Sequence, residues 1–292
     1  MSVDILQEKI RKLKNPSMVE LAPVPAEIPP HILAEEGSEA AACARFCREL
    51  LTELKSLVPA VRFDFGAFGL LGPEGLAVLE EILPFARQQG YYVLLNAPET
   101  YSPGAAEYLA SRIFGEDSRY PCDGLVIPAY SGSDVIKPFL PWVRDSKKDI
   151  FAVVRTANKS APELQDLLAG SRLVHIAAAD HVNRYGGDSV GKSGYSRVGV
   201  LAAASSAESL RNLRGKYPRL FILAEGYDYP NANAKNCARA FDKFGHGAVA
   251  CAGSSISAAW RLAESDGSDY LAQATAAAER MKKNLTRYTA VL

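Results

Sequence analysis

Eight short apolar runs, each followed by a stretch long enough for a helix, set the tightest limit on what this chain can fold into. They read "SMVEL" (17–21), "AVRFDF" (60–65), "YYVLLNA" (91–97), "GLVIPA" (124–129), "IFAVVRT" (150–156), "VGVLAAA" (198–204), "LFILAEG" (220–226) and "AVACAG" (248–253). Most are apolar at consecutive positions instead of alternating, the pattern of parallel strands buried on both faces. Between them, "PEGLAVLEEILPFARQQG" places Leu76, Leu79, Ile82 and Leu83 on one helical face, with Gly90 beyond its end as a cap. "APELQDLLAG", "SAESLRNLRGK" and "NAKNCARAFDKFG" are expected to be helices as well. The alternation predicts an α/β chain folded as a single (β/α)8 TIM barrel over residues 1–292, with a doubly wound open sheet as the alternative. An N-terminal helix is expected at 4–14, where Ile5, Ile10 and Leu13 share a face, and a helical insert at about 174–197.

Several function classes are excluded early. Lysine plus arginine and aspartate plus glutamate are balanced at 33 each, so no basic surface points to nucleic acid or an acidic membrane. No apolar run reaches the roughly 18 residues of a membrane span, and the first residues lack a signal peptide's apolar stretch. A cytoplasmic location is therefore expected. The five cysteines are scattered and the four histidines dispersed. Cys43 and Cys47 share a helical face without further ligands, so buried small hydrophobes are expected and no metal or cofactor.

In a barrel of this kind the reactive rim lies at the C-terminal ends of the strands. The third-strand rim, "NAPETYSPG", offers Asn96 but no lysine, histidine or pair of carboxylates. Asp64 lies inside an apolar strand, where a carboxylate needs a partner. Arg62, two residues earlier on the same side, is the expected one. "RTANKS" presents Thr156 and Asn158 either to a ligand or to their own loop, and "YDYP" (227–230) is an aromatic loop able to cover a pocket. "GSS" (253–255), with Ser254 and Ser255, is either a phosphate-binding turn or an ordinary helix cap. "GGDSVGKS" (186–193) matches the phosphate-loop pattern letter for letter, but a helix precedes it and a strand follows. That inverts the context the motif requires.

The segments "ILQEKIRKLKNPSMVELAPVPAEIPPHI", "VRFDFGAFGLLGPEG", "CDGLVIPAYSGSDVIKPFLP", "IFAVVRTANKSAPELQDL" and "VGKSGYSRVGVLAAASSAESLRNLR" appear in this order. With "LFILAEGYDYPNANAKNCARAFDKFGHGAVACAGSSI" they make nearly the full length resemble the longer bacterial branch of the orotidine 5'-phosphate decarboxylase family. The resemblance implies a lyase of pyrimidine nucleotide biosynthesis that works without a cofactor, as a homodimer with sites near the interface. The functional positions depart from it. The family's Asp-Ala-Lys-Arg-Gly-Asp signature falls on Asn96, Ala97, Pro98, Glu99, Thr100 and Tyr101, so its proton-donating lysine becomes Pro98 and its two aspartates become Asn96 and Tyr101. The second-strand lysine becomes Arg62, and the first-strand aspartates fall on Ala22 and Val24. The pyrimidine-reading serine falls on Ala157 and the phosphate-gripping arginine on Ser254.

No catalytic residue is therefore assigned, and three readings stay open. One is a pseudoenzyme, regulatory or assembling as a homodimer or as a heteromer with a genuine decarboxylase. Another is a repurposed barrel holding a nucleotide, phosphate or other small molecule among Arg62, Asp64, Asn96, Tyr130, Thr156, Asn158, Glu225, Tyr227, Ser254 and Ser255. The last is an active decarboxylase using atypical residues.

Overall fold

A computed structural model describes residues 2–97 and 102–290. The strands among them are β1 (Ser17–Leu21), β2 (Ala60–Asp64), β3 (Tyr92–Asn96), β4 (Gly124–Pro128), β5 (Asp149–Arg155), β6 (Leu168–Ala169), β7 (Arg172–Leu173), β8 (Ser196–Ala203), β9 (Leu220–Glu225) and β10 (Ala248–Ala252). Eight of these close a parallel barrel in the order β1-β10-β9-β8-β5-β4-β3-β2, while β6 and β7 form a separate hairpin. The seam is β1 against β10, with Ser17 beside Ala250 and Val19 beside Ala252. That closure makes the fold a (β/α)8 TIM barrel and removes the open-sheet alternative.

Side-chain alternation along the strands divides the apolar residues into two cores. Met18, Ala60, Tyr92, Leu94, Val126, Phe151, Leu201, Phe221, Leu223, Val249 and Cys251 fill the barrel interior. Val3, Leu6 and Ile10 of the N-terminal helix (Val3–Leu13) join that cluster, so the helix plugs the barrel's foot. The other face of each strand, Val19, Val61, Val93, Leu95 and Ile222 among them, packs under the surrounding helices such as Glu39–Leu54 and Gly72–Gln88. All five cysteines are buried and unbridged. No described helix is long and apolar enough to cross a membrane.

Two expected helices are corrected. "APELQDLLAG" forms a single 3-10 turn, Ala161–Glu163, and then enters the β6–β7 hairpin. The Arg155 guanidinium grips both oxygens of Asp166, at 3.0 and 2.9 Å, and Gln165 Oε1 accepts from the Thr156 amide. These ties hold the segment down onto the end of β5 and prevent a continuous helix. "NAKNCARAFDKFG" supplies one short helix, Ala234–Cys237, and a 3-10 turn, Ala238–Ala240. It is cut short because the Asp242 carboxylate accepts from the amides of Phe244 and His246, which turns the chain into β10. In the predicted insert, Val174–Gly186 is helical and Gly187–Ser189 is a 3-10 turn.

Inside the foot of the barrel, Asp149 is fully buried and accepts a 2.7 Å hydrogen bond from the Tyr92 hydroxyl. Gly124 makes room for that tyrosine, since a Cβ there would lie 2.7 Å from its hydroxyl oxygen. Burial pushes the Asp149 carboxyl up to about 8, against the opposing pull of the Tyr92 hydrogen bond. The folded chain thus holds a proton that the unfolded chain releases near its ordinary value of 3.8. The sign follows: stability is greatest below the unfolded value and is lost as pH rises toward about 8, by at most about 1.4 kcal/mol per pH unit. Asp149→Asn is expected to flatten that slope and to be more stable than the parent at pH 9. Urea midpoints across pH 4–9 check it, and parallel curves for the two proteins would refute it.

Candidate functional site

The period of two that fills the barrel with apolar side chains also delivers polar ones to its mouth. Moving up each strand, Met18 gives way to Glu20, Ala60 to Arg62 and Asp64, Tyr92 and Leu94 to Asn96, and Phe221 and Leu223 to Glu225. Register places Glu20 beside Arg62 and Asp64 beside Asn96. Arg62 is 2 % exposed, and its Nη2 bridges two carboxylates, Glu20 Oε1 at 2.7 Å and Glu225 Oε1 at 2.8 Å. Burial raises the pKa of Glu20, only partly offset by Arg62. The arrangement is a guanidinium locked between an acid of the adjacent strand β1 and one of β9, two strands farther round the barrel. It carries charge but has no proton to give at neutral pH.

The expected Arg62–Asp64 pair does not form. Glu20 reaches Arg62 from the adjacent strand and Glu225 from across the barrel, and Asp64 turns to other donors. It accepts from the Ala67 amide at 2.7 Å, capping the short helix Phe65–Gly69, and from the Asn96 side chain. Asn96 lines a cavity of about 350 Å³ together with Thr156, Asn158, Glu225 and Tyr229. An adjoining space of about 260 Å³ includes Tyr130 and Gln165. Tyr130 donates to the Val154 carbonyl, and Thr156 exchanges hydrogen bonds with Gln165. Tyr227 is a correction. It packs against the outer core and its hydroxyl accepts from Asn284 on the helix Tyr270–Thr286, so the aromatic facing the cavity is Tyr229. Gly226 has φ +73°, and this turn sends the two tyrosines to opposite sides. Pro98 and Tyr101, with Glu99 and Thr100, lie outside the described residues.

The "GSS" turn resolves toward neither of its expected roles. The Asp228 carboxylate occupies it, accepting from the amides of Gly253 at 3.2 Å and Ser255 at 3.1 Å. Ser254 donates its hydroxyl to Glu27 at 2.6 Å. The neighbouring cavity, about 480 Å³, is lined by Glu27, Asp228, Tyr229 and Arg261. "GGDSVGKS" behaves in the same way at the opposite end of the barrel. The Ser193 amide and hydroxyl both donate to Asp4, at 2.8 and 2.6 Å, and a Cβ at Gly191 would sit 2.3 Å from that carboxylate. In both turns whose letters suggested a phosphate site, backbone amides are therefore engaged by an acid of the chain itself. Among the described residues no group of three or more His, Cys, Asp or Glu is placed to hold a metal.

Sequence reasoning missed Glu20, Glu27 and Gln165, and it marked the 227–230 loop as a pocket cover without singling out Asp228 or Tyr229. Glu20 carried the same signal as Asp64, a carboxylate inside an apolar strand. Asp228 carried none, because its partners are backbone amides of the next strand's turn.

No family model matches the chain. The orotidine 5'-phosphate decarboxylase of Rhodopirellula baltica is 30% identical over 218 residues, 73% of this chain and 72% of the relative. That of Clostridium novyi is 24% identical over 286 residues, 98% of each. Among solved structures, Leishmania donovani OMP decarboxylase superposes with a TM-score of 0.77 at 23% identity, covering 99% of both chains. Plasmodium berghei orotidine 5'-monophosphate decarboxylase does so at 0.77 and 13% identity, covering 98% of this chain and 99% of that one.

Proposed function

We propose, for a chain that belongs to the orotidine 5'-phosphate decarboxylase family, that it keeps the family barrel and has given up orotidine monophosphate decarboxylation. In this reading it acts in pyrimidine nucleotide biosynthesis as a single-domain pseudoenzyme, a homodimer that regulates or assembles with a genuine decarboxylase. One observation carries the proposal: the chain's own carboxylates occupy the places where an anionic substrate would be held. Asp228 sits on the amides of the last strand's turn, and Glu20 and Glu225 neutralise Arg62. A substrate bearing both a carboxylate and a phosphate would meet Glu20, Asp64, Glu225, Asp228 and Glu27 around one mouth. Like charges in a partly desolvated site repel strongly.

Preorganised charge complementary to the transition state is usually the largest single contribution to catalysis. Here the described carboxylates carry the same sign as the substrate, Arg62 is already paired, and Arg261 is the one cation among the described residues lining the neighbouring cavity. The general acid that the resemblance assigns to a third-strand lysine falls on Pro98, outside the described residues, and the guanidinium of Arg62 on the second strand cannot take over that role. The alternative reading, an active decarboxylase with atypical residues, is favoured by the name its curated relatives carry, at up to 30% identity. Calorimetric titration with UMP separates the two. The expected result is no saturable heat at ligand concentrations up to about 1 mM, equivalent to binding weaker than about 4 kcal/mol. Micromolar binding of UMP would return the chain to the ordinary enzymes.

A further inference from the structure

The loop "GGDSVGKS" is not exhausted by its contact with Asp4. Its backbone and Ser193 are committed to that carboxylate, but Lys192 is exposed and makes no ion pair among the described residues. It borders a cavity of about 240 Å³ at the foot of the barrel, on the opposite side of the interior core from the mouth. The other walls are Asp4, Gln7, Glu8 and Arg11 of the N-terminal helix, Ser193, and His246 of the turn before β10.

The hydrogen-bond inventory of this cavity is lopsided toward donors. Gln7 is 7 % exposed; its Oε1 accepts from the Gly247 amide at 3.0 Å, while its Nε2 is buried with no partner among the described residues. Nε2 of His246 is also buried without one. Buried polar groups are nearly always satisfied, so two orphans in the lining of one cavity call for an explanation. Arg11 and Lys192 add two cations at the rim with no ion pair of their own among the described residues. The Asp4 carboxylate is already taken by Ser193, which leaves Glu8 at the rim as the one lining carboxylate without a described partner.

We propose that this cavity is a binding site for a small oxyanion, a phosphate or a short carboxylate, held by Arg11 and Lys192 and by the Gln7 amide. Arg11 supplies a fork suited to paired oxygens and Lys192 a movable point charge. The room available fits an ion or a short diacid and not a nucleotide. The site is separate from the mouth: none of its residues lines the cavities there. It joins the helix that plugs the barrel to the turn carrying β8. An ion bound there would clamp those two elements together and raise the stability of the folded state.

The test uses the full chain and two probes, inorganic phosphate and malonate, followed by calorimetry and by thermal unfolding at constant ionic strength. Saturable binding of at least one probe, with a rise in Tm, is expected. The double substitution Arg11→Ala and Lys192→Ala, both at exposed positions, should leave the fold intact. It should weaken binding by at least about tenfold, since a charge-assisted hydrogen bond contributes about that factor. Lys283→Ala, which removes an exposed lysine on the helix Tyr270–Thr286 away from this cavity, should leave this binding unchanged. Absence of saturable binding for both probes, or undiminished binding in the Arg11/Lys192 variant, overturns the assignment.

Discussion

Replacing Arg62 with methionine is expected to destabilise the fold at pH 7 by about 3–5 kcal/mol, the range for breaking a buried ion pair by removing one partner. The cost is electrostatic more than steric, because methionine fills much of the same volume. It leaves Glu20 and Glu225, each only 18% exposed, facing one another without their shared cation. The pH dependence supplies the signature. Glu20 is already raised in the parent by burial, with Arg62 pulling the other way. Removing Arg62 raises it further, so the folded variant favours the protonated acid. A carboxyl with a raised folded-state pKa favours folding below its unfolded value, and that advantage is lost as pH rises. The deficit of the variant should therefore be small near pH 4 and full at pH 7. Adding Glu20→Gln and Glu225→Gln should recover most of the loss, since replacing a whole buried ion cluster is often close to neutral. Urea unfolding at the two pH values measures all three proteins. A cost below about 1 kcal/mol, or one independent of pH, would place the energetic weight of the mouth elsewhere than in this cluster.

The barrel was legible because its strands are short, continuously apolar and separated by helix-length segments, signals that survive without knowledge of any partner. Arg62 and Asp64 were also visible, as charges where charge is costly. Their pairing was not, for a specific reason: proximity along one strand suggested each to the other, whereas register brings Glu20 beside Arg62 and barrel closure brings Glu225 across. A sequence displays neighbours along the chain, but a closed sheet chooses neighbours across it. The same limit explains Asp228, which has no local partner and meets the amides of Gly253 and Ser255 only because β9 and β10 lie side by side. It explains Tyr227 and Tyr229 as well, since a single left-handed glycine between strand and loop decides which ring faces the cavity. Where tertiary ties override local periodicity, as Arg155 and Gln165 do at 161–170, the expected helix gives way.

The phosphate-loop pattern at 186–193 illustrates the opposite case. The letters matched and the context did not, and the structure places the loop at the foot of the barrel with Asp4 in the position of the anion. The Ser193 amide and hydroxyl of this loop are spent on a carboxylate of the chain itself. The turn after β10 is engaged in the same way by Asp228, so at both ends of the barrel a loop amide is met by an acid from the chain.

Enzymes lower reaction barriers by roughly 8–23 kcal/mol, and the proposed reading holds that this chain no longer supplies any large part of that. The most direct measurement is carbon dioxide release from orotidine monophosphate by the purified full-length chain, run beside an active relative at equal concentration. The account predicts release no faster than in a protein-free control. Sustained release at a rate comparable to the relative's, lost on heat denaturation, would contradict it.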